Sequence, residues 1–167
     1  MQTFRRGPGT RLAARCLLAF LLAAPVLTLG APGAVEAGTK KYYLTRNSFQ
    51  GNAVLTACDR GFHMASLWEI FSLTNLKYDS TRGQIRADSG SGPAAELFGW
   101  IRTGVAPSTS GTPGIGNCGA WTSNSAAHYG TIVELNGHWT DPAQDTHPWG
   151  AGTASCDSTV LVWCVQN

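Results

Sequence analysis

Hydrophobic and β-branched residues in the second half of the chain fall into short runs that predict strands. The clearest pattern is a pair of runs, residues 131–135 (TIVEL) and 138–140 (HWT), on either side of Asn136-Gly137. Asn-Gly tolerates the positive φ angles of a two-residue type I′ turn, so this segment predicts a hairpin. Residues 158–165 (STVLVWCV) form an apolar run whose length and β-branching favour a central strand. Shorter strands are predicted at residues 41–45, 98–103 and 119–122.

Two helices are predicted before most of these strands. Asn47 and Ser48 can cap a helix that runs to about Cys58. Ser66, with Glu69 three residues later, forms a capping box that begins a second helix. The apolar residues of the second helix cover more than one narrow stripe, so much of it should be buried; they are Leu67, Trp68, Ile70, Phe71 and Leu73. Because helices come first and strands later, the order favours an α+β fold.

Three segments rich in small and polar residues are predicted to be long loops. They are residues 79–93, 105–117 and 141–154. Loops on a fixed scaffold vary readily and often carry recognition, so these three are the expected binding surface.

The N-terminal residues have the three-part pattern of a secretory signal peptide. A basic start is followed by fourteen apolar residues, 16–29, and by Val35-Glu36-Ala37, which fits a small-x-small cleavage site before Gly38. Fourteen helical residues span only about 21 Å, short of a hydrocarbon core of about 30 Å. We therefore expect residues 1–37 to be removed and one secreted domain, residues 38–167, to remain, in an extracellular or periplasmic compartment and without a membrane span.

Removal of the leader changes the charge. Residues 38–167 hold 8 basic and 9 acidic side chains, a net charge of about −1, whereas the whole chain carries +2. Phosphate binding needs clustered Lys and Arg, so no nucleic-acid partner is expected. About 130 residues suit a single core.

Four cysteines remain in this domain: Cys58, Cys118, Cys156 and Cys164. An even number in an exported chain implies two disulfides, with three possible pairings that spacing alone does not separate. A zinc site is disfavoured because no C-x-x-C spacing is present.

Several segments, in order along the chain, resemble one family. They are KYYLT (41–45), AVLTACDRGFHMASLWEI (53–70), GWI (99–101), CGAWT (118–122), NGHWTD (136–141) and SCDSTVLVWCVQN (155–167). The chain resembles the C-type lectin-like fold, and its C-terminal part is closest to the endostatin-like branch. The resemblance implies two N-terminal helices, a small, mostly antiparallel, twisted sheet with long loops, and disulfides that join Cys58 to Cys164 and Cys118 to Cys156.

Calcium is the ligand that the resemblance raises first. Ca²⁺ takes six to eight oxygen ligands, and the lectin site uses a Trp-Asn-Asp segment together with an acidic loop. Here Thr140 stands in place of the Asn, Asp141 is the one matched carboxylate, and residues 105–117 contain no acid. His138, Asp145 and His147 nearby match no zinc spacing. We therefore expect no cofactor and no metal site.

The six tryptophans offer anchors for a ligand or for the core. Those in predicted regular elements should be buried; they are Trp68, Trp100, Trp139 and Trp163. Trp149, in a Pro/Gly-rich loop, is predicted to be exposed, and His128 and Tyr129 before the hairpin can join it at a surface. The predicted ligand-binding residues are Trp149, His128, Tyr129 and Asp141.

The expected function is that of a secreted, non-enzymatic binding module for a protein, matrix or carbohydrate ligand. One alternative is a calcium-dependent carbohydrate-binding lectin. A second is a secreted hydrolase, since residues 87–93 (ADSGSGP) are similar to a serine-protease nucleophile loop. That alternative is disfavoured because His63, the only His before this loop, lacks the protease context, so no catalytic residue is predicted.

Overall fold

A computed structural model describes residues 39–86, 92–105, 109–137 and 148–167, all within the unit Glu36–Asn167. Seven strands are present in these residues: β1 Lys40–Leu44, β2 Phe62–Met64, β3 Leu76–Tyr78, β4 Gly99–Trp100, β5 Tyr129–Leu135, β6 Trp149–Ser155 and β7 Leu161–Gln166. The helical elements are short: α1 Leu67–Phe71, a helical turn α2 Cys118–Trp121, and 3₁₀ helices at Gly51–Thr56 and Leu73–Asn75. The predicted signal peptide lies outside the described residues. No helix that the structure describes is long and apolar enough to cross a membrane.

The strands form one sheet with β7 at its centre, as its apolar sequence predicts. The order is β3-β1-β7-β4-β5-β6, and β2 also pairs with β7. β1 and β2 both run antiparallel to β7, whereas β4 runs parallel to it. β1 and β3 are also parallel, so the sheet is mixed. The remaining pairs, β4 with β5 and β5 with β6, are antiparallel, so antiparallel pairs predominate among the described strands, as predicted. The α+β class is confirmed.

The core packs against the central strand. Val162, Trp163 and Cys164 of β7 are fully buried, so this strand is covered on both faces. The two fully buried indoles are each satisfied: Trp163 Nε1 donates to the carbonyl of Val133 at 3.0 Å, and Trp100 Nε1 donates to the carbonyl of Phe49 at 2.8 Å. Both tryptophans are buried as predicted.

The two N-terminal helices are present but shorter than predicted. The first is a 3₁₀ helix, Gly51–Thr56, that begins four residues after Asn47. The second begins at its predicted cap, where the Ser66 hydroxyl accepts from the Glu69 N–H and the Glu69 carboxylate accepts from the Ser66 N–H. It ends at Phe71, after only five residues. Because these helices are so short, strands contribute more of the buried core residues than helices do.

The predicted Asn-Gly hairpin is wrong in its register. β5 does turn back into an antiparallel partner, but Leu135 lies opposite Trp149 rather than opposite His138. The Asn136 N–H donates to the carbonyl of Pro148 at 2.9 Å, so the connection spans 137–147 rather than two residues. β6 thus occupies part of the segment 141–154 that was predicted to be a loop. Residues 138–147 lie outside the described residues.

Residues 119–122 are not the predicted strand. Cys118–Trp121 forms the turn α2, and each of its four residues has a positive φ. The reason is non-local: the contacts that hold this turn come from distant parts of the chain, as described below.

Two disulfides tie the fold together, and they are the pair that the resemblance implied. Cys58 is joined to Cys164 across 106 residues, and Cys118 is joined to Cys156 across 38. The first bridge connects the segment after the first 3₁₀ helix to the middle of β7. The loop that it closes contains most of the described residues and ends at the central strand.

We expect the double variant Cys58→Ala/Cys164→Ala to lose up to about 4.7 kcal/mol of unfolding free energy, because the bridge closes a loop of about 100 residues. Urea unfolding followed by tryptophan fluorescence measures this loss. The matched variant Cys118→Ala/Cys156→Ala, with a shorter loop, should lose less, about 4 kcal/mol. A loss below about 1 kcal/mol for the first variant would contradict the role of this bridge.

Asp79 is a buried carboxylate at the end of β3 that collects several donors. Its side chain is 5% exposed. The Thr81 hydroxyl donates to it at 2.5 Å, and Lys41 Nζ and Arg82 Nε lie 3.5 and 3.3 Å away. The hydrogen bond from the Thr81 hydroxyl, with a further contribution from Lys41, outweighs burial and lowers the pKa of this carboxyl below its ordinary value.

A lowered carboxyl pKa stabilises the fold above the ordinary value of about 3.9, and this stabilisation is lost as the pH falls through the lowered pKa. We expect Asp79→Asn to unfold about 1–3 kcal/mol more easily at neutral pH, and the difference from the wild type to shrink below about pH 4. Denaturant unfolding across this pH range tests it, with the exposed Asp157→Asn as the control. A difference between wild type and Asp79→Asn that stays constant with pH would contradict this assignment.

Candidate binding site

The most exposed large aromatic side chain among the described residues is Trp68, on α1. The capping box fixes the start of this helix at Ser66, which turns Ile70 into the core, where it is fully buried. Residues two apart on a helix face nearly opposite directions, so Trp68 points outward and is 80% exposed. The prediction that Trp68 is buried is therefore wrong.

Trp68 stands between two surface pockets. We call the larger one, of about 390 Å³, the Arg102 pocket. It is walled mainly by apolar side chains and has a few polar ones at its edge; its lining residues are Leu55, Ser66, Trp68, Arg102, Gly104, Val105, Asn117, Ala120 and Trp121. Its size and apolar character are those of sites that bind small groups.

The second pocket, the Lys40 pocket, measures about 350 Å³ and lies on the other side of Trp68. Its wall includes Lys40, Glu69, Asn75 and Leu76. Trp68 is thus an exposed ridge with one cationic side chain in each flanking pocket, Arg102 in one and Lys40 in the other.

Two of the polar side chains in the Arg102 pocket are already engaged within the protein. The Ser66 hydroxyl donates to Glu69 Oε2 at 2.7 Å as part of the helix cap. The Asn117 amide accepts from the Thr103 N–H at 3.1 Å and donates to the Thr103 hydroxyl and to the carbonyl of Val105. These groups therefore shape the pocket and are not free to bind.

Arg102 is the exception in this wall. Its backbone is held firmly, because its N–H donates to the carbonyl of Ala65 and its carbonyl accepts from the N–H of Leu67, each at 2.9 Å. Its Nε is buried and has no hydrogen-bond partner among the described residues. An unpaired buried donor costs about 1–3 kcal/mol, so the free protein carries an incompletely satisfied guanidinium at this pocket.

The floor of the Arg102 pocket is built by the turn α2. Its φ angles are 47° at Cys118, 60° at Gly119, 57° at Ala120 and 62° at Trp121. The left-handed conformation costs about 1–2 kcal/mol for each residue with a side chain, and runs of such residues are rare. The Trp121 N–H donates to the carbonyl of Asn117 at 2.7 Å, which closes the turn. Ala120 and Trp121 line the pocket as a result.

Distant parts of the chain hold this strained turn in place. Cys118 is tied to Cys156 by the second disulfide. Trp121 is 5% exposed and packs edge-to-face on Trp100 at a ring distance of 5.7 Å. Residues held in such strained conformations cluster at functional sites. The turn is therefore a second observation that points to this pocket.

Two glycines allow the close approach to the turn. A Cβ added at Gly51 would lie 2.5 Å from Cys118 Sγ and 2.8 Å from the carbonyl oxygen of Ser123. A Cβ added at Gly130 would lie 2.8 Å from Cys118 Sγ and 2.7 Å from the Trp100 ring. Only glycine fits at either position without moving the turn.

A hydrogen-bonded chain of Ser66, Glu69 and His63 lies beside Trp68. His63 Nε2 is 2.8 Å from Glu69 Oε1, and its Nδ1 is 2.7 Å from Asn167 Oδ1. Burial raises the pKa of the Glu69 carboxyl, but the hydrogen bonds from Ser66, with His63, outweigh it and lower that pKa. The Ser66 hydroxyl donates to Glu69 and not to His63, so the chain is a reinforced helix cap and lacks the contact between nucleophile and base that serine catalysis uses.

Of the predicted ligand-binding residues that the structure describes, Trp149 lies apart from His128 and Tyr129. Trp149 lies in β6, not in a loop, and is partly buried against Trp163 at a ring distance of 5.4 Å, so its predicted exposure is wrong. His128 immediately precedes β5, and Tyr129 is its first residue, opposite Ser155. Tyr129 and Trp149 are therefore at opposite ends of the β5–β6 pair, about 20 Å apart.

The remaining predicted position, Asp141, lies outside the described residues, as do His138, Asp145, His147 and the segment 87–91. Among the residues that are described, no group of three or more His, Cys, Asp or Glu side chains is placed to hold a metal ion.

Sequence reasoning missed both Trp68 as a surface anchor and Arg102 as an unpaired cation. A signal for Trp68 was present, because the capping box sets the phase of the helix and places Ile70 inward. A weaker sequence signal existed for Arg102, because it is the only charged residue in the apolar segment 98–103. The left-handed turn had no local signal, since three of its four residues carry side chains.

We expect Gly51→Ala to lower the free energy of unfolding by about 1–3 kcal/mol, because the added methyl group must displace the turn α2. The matched control is Gly111→Ala, where a Cβ meets no atom within 4 Å; it should change stability by less than about 0.5 kcal/mol. Urea unfolding measures both variants. Equal stabilities would show that the turn is free to move.

No family model, no curated protein and no solved structure matches this chain. The likeness to the C-type lectin-like fold stays a prediction, and the site is defined by its own residues.

Proposed function

We propose that this chain is a secreted, non-enzymatic binding module, on a C-type lectin-like scaffold, that recognises an extracellular protein, matrix or glycan ligand through the surface around Trp68. The observation that carries the proposal is the position of Trp68, 80% exposed on a ridge between two pockets. The two disulfides fit an oxidising, extracellular compartment.

The exposed indole ring of Trp68 offers a large apolar surface that a partner can cover. A tryptophan side chain buries about 150–250 Å² when it is enclosed, and Trp68 leaves 80% of its surface exposed. At about 25 cal/mol per Å², covering that exposed fraction corresponds to about 3–5 kcal/mol. Tryptophan and arginine are also the residues most enriched among those that dominate binding energy. Trp68 and Arg102 line the same pocket, which places both types at one site.

Three sets of interactions hold the surface around Trp68 in one conformation. The capping box fixes α1, the Cys118–Cys156 bridge fixes the turn α2, and the Asn117 amide ties the pocket edge to Thr103. A preorganised site loses less entropy on binding, so more of the contact energy is retained as affinity. This arrangement is what a recognition site requires, and it needs no reacting group.

We expect wild-type protein to bind on an array of glycans and matrix proteins, and Trp68→Ala to lose most of that binding. Because Trp68 is largely exposed, its truncation should change the free energy of unfolding by less than about 0.5 kcal/mol. The matched control is Ile85→Ala, an apolar side chain that is 52% exposed and lies outside both pockets.

Each array is run with and without a chelator. Binding that survives chelation and is lost with Trp68→Ala, but not with Ile85→Ala, supports the proposal. Binding abolished by the chelator would favour the calcium-dependent lectin instead. A blank array, or equal binding by wild type and Trp68→Ala, would contradict the role of the Trp68 surface.

A further inference from the structure

We propose that the Arg102 pocket binds a peptide segment of a protein partner in which a carboxylate lies beside an apolar side chain. The carboxylate pairs with the guanidinium of Arg102, and the apolar side chain packs against Trp68 and Trp121. This inference rests on the proposed binding function and names the chemistry of its ligand.

The need for an anion comes from Arg102. Its Nε is buried and unpaired among the described residues, and the side chain makes no ion pair with a described acidic residue. A guanidinium presents its N–H groups in a planar fork that matches a carboxylate, and such charge-assisted hydrogen bonds are stronger than neutral ones. A ligand carboxylate in the pocket would pair with the terminal N–H groups of this guanidinium, because Nε itself is buried.

The charge of the site favours a carboxylate over a phosphate. Arg102 is the one charged residue among the described residues that line this pocket, and Lys40 lines the other pocket, beyond Trp68. One guanidinium balances the single charge of a carboxylate, whereas a phosphate would bring a second charge into a mainly apolar wall in which the described residues supply no second cation.

The hydrogen-bonding state of the wall favours a peptide over a sugar. A sugar ring needs donors and acceptors for its hydroxyl groups, since a buried unpaired hydroxyl weakens binding. The Ser66 hydroxyl and the Asn117 amide are both engaged inside the protein. Apart from Arg102 and the indole N–H groups of Trp68 and Trp121, the rest of the described lining is apolar. Two of its aliphatic side chains are open to a ligand: Leu55 is 51% exposed and Val105 is 44% exposed.

The experiment is an NMR titration of the ¹⁵N-labelled protein with three probes. N-acetyl-L-leucine carries the carboxylate and the apolar side chain, N-acetyl-L-leucinamide carries the side chain without the charge, and methyl glucuronoside carries the carboxylate on a sugar. We expect N-acetyl-L-leucine to shift the Trp68 indole and Arg102 Nε signals. The uncharged amide should bind at least about tenfold more weakly, because it leaves the guanidinium unpaired.

The test variant is Arg102→Met, and the matched control is Arg60→Met, which removes the same charge from an exposed position. We expect Arg102→Met to weaken binding of N-acetyl-L-leucine at least about tenfold and Arg60→Met to change it less than about twofold. Arg102→Met removes an unpaired buried donor, so it should melt at the wild-type temperature or above it, which separates loss of binding from loss of fold.

Equal binding of the acid and the amide, or an unchanged affinity in Arg102→Met, would overturn the role of the anion. Tighter binding of the glucuronoside would overturn the peptide in favour of an acidic glycan. No shift with any probe up to its solubility limit would overturn the ligand assignment altogether. The proposed binding function is judged separately, by the loss of array binding in Trp68→Ala, so each proposal can fail without the other.

Discussion

The central strand β7 is the constraint on which the rest of this structure depends. It pairs with β1, β2 and β4, and its residues Val162, Trp163 and Cys164 are fully buried. Because β1 and β7 lie at opposite ends of the described chain, the sheet closes only when those ends meet. Closing a loop of that length costs entropy, and without a covalent bridge the contacts alone would have to offset it. The bridge from Cys58 to Cys164 enters the middle of this strand and lowers that cost by restricting the unfolded chain.

The position of the binding surface follows from the same strand. The Ala65 N–H donates to the carbonyl of Trp163 at 2.8 Å, and the carbonyl of Ala65 accepts from the Arg102 N–H at 2.9 Å. The carbonyl of Arg102 in turn accepts from the N–H of Leu67, the first residue of α1. A continuous row of backbone hydrogen bonds therefore runs from the centre of the sheet to the pocket wall, so Arg102 and Trp68 are placed by the core rather than by mobile loops.

Local patterns were sufficient where a single segment determines its own structure. The strands β1 and β7 and the cap at Ser66 were predicted because apolar runs and a capping box act within a few residues. The hairpin failed because β6, with the sequence WGAGTAS, lacks the alternation that marks a strand, so the local Asn-Gly signal pointed to the wrong partner. The predicted exposure was wrong at Trp68 and at Trp149 for a related reason. Which tryptophan is buried depends on the phase of a five-residue helix, which the capping box sets, and on pairing across the sheet, which no local pattern shows.

The turn α2 shows how stability and recognition are linked in this small domain. Left-handed residues at Cys118, Ala120 and Trp121 raise the free energy of the folded state, and so does the unpaired Nε of Arg102. Neither feature helps the domain to fold, yet both line one pocket. The bridge from Cys118 to Cys156 and the packing of Trp121 on the core residue Trp100 offset these costs. The second disulfide is thus best understood as the support for a strained site, whereas the first closes the fold around its central strand.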